Sequence, residues 1–227
     1  LESLVREIDL ESTPVRELNR ELHDSIAGTW RVLNPRGAHA LAVGIHAPLR
    51  IEIAGHAGYY CAGMNQEGTV IIEGNVATGV AENMMSGLVH VYGHASQSAG
   101  ATAHGGLLII EGDASARCGI SMKGVEIVVK GSVGHMSAFM GQAGALVVHG
   151  DAGDALGDSL YEAKLFVRGR VASLGADCVE KEMREEHLAS LTALLERSGS
   201  DADAKDFRRY GSSRKLYNFQ GDHASHY

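Results

Sequence analysis

Several side chains in this 227-residue sequence are of types that do chemistry, and they recur at multiples of one spacing. His56 and His94 lie two steps of 19 residues apart, as do Glu73 and Glu111, while Cys61 and Cys118 lie three such steps apart. Histidine and cysteine are the common ligands of zinc. A pair of carboxylates can cleave glycosidic bonds, one as acid and the other as base or nucleophile. Whether any of these pairs meets in space depends on the elements that carry them.

Those elements repeat. The segments RIEIAGHAG (50–58), TVIIEGNVA (69–77), LVHVYGHAS (88–96), LLIIEGDAS (107–115), EIVVKGSVG (126–134), ALVVHGDAG (145–153) and KLFVRGRVA (164–172) align on Gly55, Gly74, Gly93, Gly112, Gly131, Gly150 and Gly169, each 19 residues after the last. Two residues before each glycine stands Ile or Val, and four before it an apolar residue (Ile51, Val70, Val89, Leu108, Ile127, Leu146, Leu165). The residue between those two is mixed, and the one next to the glycine is mostly polar. This is the alternation of a strand with one face inward. Small apolar residues follow two positions after the glycine, from Ala57 to Val171. A further glycine follows about 13 positions after it in most copies (Gly68, Gly87, Gly106, Gly124, Gly144). A repeat this short cannot bury its apolar face alone, and stacking of copies makes the core. The pattern predicts an all-β chain: a right-handed parallel β-helix of about seven coils, one coil per repeat. The seven glycines turn corners where a side chain would clash or φ must be positive. The residues after them (His56, Asn75, His94, Asp113, Ser132, Asp151, Arg170) include Asn, Asp and Ser, which favour turns. No G-x-G-x-x-G or G-x-x-x-x-G-K-[ST] run opens a helix, so the glycines are not read as a phosphate cradle.

Stacked coils repeat at about 4.8 Å, which separates the candidate pairs. His56 and His94 fall roughly 9–10 Å apart, too far to share a metal with bonds of about 2 Å. Cys61 and Cys118 fall about 14 Å apart, too far for a disulfide. Cys178 completes no CxxC pair. His39, His46, His104 and His135 occupy other offsets, as do Glu67 and Glu82. No nucleophile elbow is present. The expectation is no catalytic, cofactor-binding or metal-ligating residue on this chain.

Composition narrows the function further. A net charge of −8 argues against a nucleic-acid protein. No apolar run approaches the roughly 20 residues of a membrane span, and no signal peptide is visible. An odd count of three widely spaced cysteines suits a reducing cytoplasm. The ends of the β-helix need covers. Residues 1–28 are expected to form a helical cap, with Thr13 as N-cap, Pro14 as first helical residue, and an apolar stripe of Val15, Leu18, Leu22 and Ile26. Residues 29–176 form the β-helix. Residues 177–199 read as a helix opened by a capping box of Asp177 and Glu180 and stopped by Gly199, with Val179, Met183, Leu188, Leu191 and Leu195 on its buried face. Residues 200–227 read as a linker and a basic, aromatic tail that docks on the body or on a partner, through Arg208, Arg209, Tyr210, Arg214, Lys215, Tyr217 and Phe219.

The repeat columns and both ends together resemble the GXGXG-repeat β-helix family. That family includes the C-terminal domain of the large subunit of glutamate synthase and free-standing relatives. The stretches STPVRELNRELHD, ALGDSLYEAKLFVRGRVASLGADC and DFRRYGSSRKLYNF are most similar to the free-standing subunits, in particular the small β-helix subunit of N-methylglutamate synthase. The resemblance implies a scaffold subunit of an enzyme complex that exchanges the amino group of glutamate for methylamine. It implies two partners, a class II glutamine amidotransferase-like subunit and an FMN-binding, glutamate-synthase-like subunit. FMN and an iron–sulfur cluster are then expected on a partner, not here. The alternative is the C subunit of a formylmethanofuran dehydrogenase or of a formyltransferase/hydrolase complex, which shares the architecture.

Overall fold

The structure, a computed structural model, describes residues 5–214. Nine parallel strands stack in chain order: β1 (Val5–Asp9), β2 (Gly28–Leu33), β3 (Leu49–Ile53), β4 (Thr69–Ile72), β5 (Leu88–Val91), β6 (Leu107–Ile110), β7 (Lys123–Val129), β8 (Ala143–Val148) and β9 (Lys164–Val167). The sheet ends with β11 (Arg208–Ser212), antiparallel to β9, and β10 (Cys178–Lys181), antiparallel to β11. The architecture is a parallel β-helix of about seven coils, as the repeat predicts.

The register is that of the sequence columns. Ile53, Ile72, Val91, Ile110, Val129, Val148 and Val167 pair one above the next, and so do Ile51, Val70, Val89, Leu108, Ile127, Leu146 and Leu165. All fourteen are fully buried. The column from Ala57 to Val171 forms a second line of parallel bridges across the coil. Backbone hydrogen bonds between coils continue through the turns, for example from Ala95 N–H to Asp113 O (2.9 Å) and from Met64 N–H to Glu82 O (2.8 Å). The ladder therefore satisfies the backbone around the whole rung.

The corner glycines are there for space. Among the seven only Gly55 has a positive φ, 144°. A Cβ on Gly131 would sit 2.3 Å from Asp113 Oδ1 and 2.7 Å from Gly112 O, both on the coil below. Positive φ falls instead on the later glycines, such as Gly87 (87°) and Gly106 (84°), and on non-glycine residues in the arc between the corners, among them Tyr60, Ala62 and Met64. Alternating left-handed residues bend that arc tightly, at a conformational cost each coil repeats.

The residue after each corner glycine does more than favour a turn. His56 Nδ1 accepts from Asn75 N–H (2.9 Å), Asn75 Oδ1 from His94 N–H (2.9 Å), and His94 Nδ1 from Asp113 N–H (2.9 Å). Asp113 Oδ1, Ser132 Oγ and Asp151 Oδ1 continue the line, accepting from Ser132 (2.8 Å), Asp151 (2.9 Å) and Arg170 (2.8 Å). Each side chain thus caps the same position on the next coil.

Both ends differ from the sequence expectation. At the first, β1 pairs with β2 ahead of the helix, and α1 (Val15–Asp24) begins after Pro14, which is extended at the N-cap in place of Thr13. Leu18 and Leu22 plug the open end of the core with Val15 packed beside them, but Ile26 lies past the helix end and is exposed. At the other end, residues from Cys178 form β10, because β11 offers an edge to pair with. The helix α2 (Glu185–Arg197) starts only there, with Arg184 N–H donating to His187 Nδ1 (3.2 Å). Asp177 and Glu180 therefore cap nothing, and Val179 is exposed. Gly199, at φ 66°, follows the helix end as expected. No helix among the described residues is long and apolar enough to cross a membrane.

Candidate functional site

The outer face of the long sheet carries the residues one and three positions before each corner glycine. This face has two halves. Over β7, β8 and β9 it presents Val128, Val147 and Phe166, all buried. Leu191, Leu194 and Leu195 of α2, with Ala204 and Phe207 beyond it, cover them as a second core. Arg197 anchors the helix to Glu126 at 2.7 Å. His149 lies under this cover, its ring edge-on to Phe207 at 5.3 Å. Its Nε2 is buried with no hydrogen-bond partner among the described residues. Burial first, then the positive charges of Arg168 and Lys130, pull its pKa down to about 4, so the ring is neutral at physiological pH.

Over β3 to β5 the same columns are mostly polar, with Ile71 among them, and no described part of the chain covers them; on β6 Ile109 is already buried. Arg31 bridges Glu73 (2.9 Å) and Glu52 (3.3 Å), and Arg50 also holds Glu52 (2.8 Å). Glu73, by hydrogen bond and charge, pushes the Arg31 guanidinium further up. Next along the face, Glu111 takes His90 Nε2 at 2.6 Å and Lys130 Nζ at 2.9 Å. Burial would raise the Glu111 carboxyl, but the hydrogen bonds from Lys130 and His90 outweigh it and hold the group below its usual range. Tyr92 stacks on His90 at 4.4 Å and is 55% exposed. A shallow depression of about 370 Å³ lies among Arg50, Glu52, Ile71, Glu73 and Tyr92. This face is charged and internally paired, with one half-buried isoleucine and one exposed tyrosine.

The structure brings none of the candidate chemical pairs together. His56 and His94 are spent as acceptors in the turn line. Cys61 and Cys118 face the interior, where burial pushes both thiols up to about 12; Cys178 is pushed to about 11. Glu73 and Glu111 stand in separate ion-pair groups. His39 Nδ1 accepts from Tyr59 N–H (2.9 Å). No group of three potential metal ligands exists among the described residues.

The docking tail needs one correction. Tyr210 is buried in this chain's own core, because β11 continues the stack and turns alternate side chains inward. Arg208 is exposed and near Glu180 (3.8 Å), Arg209 donates to Glu182 O (2.9 Å), and Arg214 pairs with Asp177 through Nε at 2.7 Å. Lys215, Tyr217 and Phe219 lie outside the described residues. The acceptor line after the glycines was missed by sequence reasoning. Its signal was chemical: six successive positions carry an acceptor close to Cβ.

No protein-family model matches the chain. The chain is 63% identical over 225 residues to Protein GlxC of Rhizobium meliloti, a match covering 97% of this chain and 99% of that protein.

Proposed function

The chain belongs to the family of Protein GlxC, and we propose that it serves as a non-catalytic β-helix subunit of a glutamate-synthase-type complex. In the finer reading the complex is an N-methylglutamate synthase, which converts methylamine and glutamate to N-methylglutamate and ammonia. The chain packs between a class II glutamine amidotransferase-like subunit and an FMN-binding subunit and holds them at a fixed distance. The observation that carries this is the outer sheet face: α2 covers its apolar half, and none of the described residues covers the charged half over β3 to β5. Stacked rungs give a rigid body whose length is set by coil number, and rigidity is what a spacer needs. The columns of the GXGXG repeat and the end segments quoted above support the glutamate-synthase assignment over other β-helix functions.

Co-expression with the neighbouring genes tests it. The expected result is a purified complex with FMN absorbance and an amidotransferase-like subunit, whose formation of N-methylglutamate is lost when this chain is omitted. Purification of the chain alone, or with a formyl-transferring metallohydrolase-like subunit in place of the flavin subunit, would overturn it.

A further inference from the structure

The second end of the β-helix holds a feature the scaffold role does not use. A pocket of about 340 Å³ opens where β9, β10 and β11 meet, lined by Tyr161, Lys164, Lys181, Arg209, Ser212 and Arg214. The strand register explains the convergence. Arg209 is opposite Phe166 on β9 and Lys181 on β10, so Lys164, Lys181 and Arg209 project from the same outer face. Gly211 lies beneath the Lys181 stem, where a Cβ would make ordinary contact at 3.4 Å.

The charges are compensated only at a distance, Glu186 and Glu182 acting on Arg209 without a close ion pair. Among the described residues no carboxylate oxygen lies within 4.0 Å of the charged nitrogens of Lys164, Lys181 or Arg209. Arg214 is held by Asp177, and Glu162 is the one acidic side chain in the lining. Burial, then repulsion from Arg184, pulls the Arg209 guanidinium below its usual range. Ser212, opposite the buried Cys178, falls with Tyr210 on the inward-turned side of β11, and its hydroxyl accepts from Arg214 N–H at 3.2 Å. Arg209 commits Nε to Glu182 O, and its terminal nitrogens have no hydrogen-bond partner among the described residues. On a chain of net charge −8, a concave cluster of cations with no close carboxylate among the described residues is an exception to the composition.

We propose that this pocket binds a small polyvalent oxyanion, a phosphate or a di- or tricarboxylate, through Lys164, Lys181 and Arg209. Charge-assisted donors on three strands suit an anion with oxygens pointing in several directions. The site is complete within this chain, so it does not depend on the partner subunits, and its failure leaves the scaffold reading intact.

Isotope-labelled full-length chain is titrated with pyrophosphate and, separately, with citrate, each against sodium chloride at matched ionic strength. Amide shifts are followed together with calorimetric affinity. The expected result is saturable shifts at Lys164, Gly211 and Ser212 with at least one of the two anions, and affinity reduced about tenfold or more by Lys164→Gln with Lys181→Gln. These changes keep the side-chain stems and remove only charge. Arg170→Gln, on the remote turn line, leaves affinity unchanged. Pyrophosphate binding without citrate assigns the phosphate class, and the reverse assigns the carboxylate class. Shifts no larger than those from chloride, shifts mapping elsewhere, or undiminished affinity in the double variant would overturn the proposal.

Discussion

The two halves of the outer sheet face are built on the same backbone and differ only in the side chains three and one positions before each corner glycine. Over β7 to β9 these are Val128, Val147 and Phe166, and the chain spends its C-terminal helix covering them. Over β3 to β5 they are Glu52, Ile71 and His90 with Glu73 and Tyr92 beside them, and no part of the described chain lies on top. A parallel β-helix fixes its inward columns by stacking, so its outward columns are free to specify what comes next. One half specifies an internal helix, and the other is the surface the proposed function assigns to a partner.

Substitutions in the two halves should separate stability from assembly. The largest effect is expected from Phe166→Ala, which leaves a cavity under α2 and costs about 3–5 kcal/mol in chemical denaturation. Ile71→Ala, its counterpart on the open half, is half-exposed and costs about 1 kcal/mol or less. Equal costs would erase the distinction between the halves. Gly93→Ala and Gly131→Ala come next and should cost alike, about 2–4 kcal/mol each, because the corner approach is common to both halves. In each the new Cβ meets the acceptor side chain of the coil below, Asn75 Oδ1 or Asp113 Oδ1, at 2.3 Å.

His149 gives the covered half a pH dependence of its own, in the window between about 6.5 and about 4. Its pKa falls from 6.5 to about 4 on folding. Below pH 6.5 the unfolded chain therefore binds a proton that the folded chain refuses until about pH 4, and stability falls as pH drops through that window. The loss is on the order of 2 kcal/mol after allowing for partial solvent screening. His149→Phe should flatten this limb of a denaturation-versus-pH curve, and an unchanged limb would show that the ring titrates freely. The smallest effect on stability, within about 0.5 kcal/mol, is expected from Tyr92→Ala with Glu73→Gln. The same pair should weaken assembly with the partner subunits in a pulldown, which Lys205→Gln on the far side of the covering segment should not.

The period made the rungs legible, because a 19-residue step fixes which residues stack and the β-branched columns fix which way they face. Stacking also correctly kept His56 from His94 and Cys61 from Cys118. The turn line escaped because its hydrogen bonds join residues 19 apart, whereas Asn, Asp and Ser suggest contacts within a local turn. The left-handed arc escaped because it places Tyr60, Met64 and Met136 at positive φ, where propensity favours glycine. At the ends local signals lost to pairing. The sequence from Asp177 has helix-opening residues, but a strand at Cys178–Lys181 shields the sheet edge through β11, which also draws Tyr210 into the core. The open half could be seen only as a mixed column, since whether a helix covers it depends on where α2 lands.

Hydrogen exchange on the chain, free and assembled with the proposed amidotransferase-like and flavin subunits, tests the scaffold claim most directly. Assembly is predicted to slow exchange in peptides spanning β3, β4 and β5 while leaving β7 to β9 beneath α2 as protected as before. Unchanged exchange over β3 to β5 in a complex of confirmed composition, or new protection only over the α2-covered half, would contradict docking through the open face.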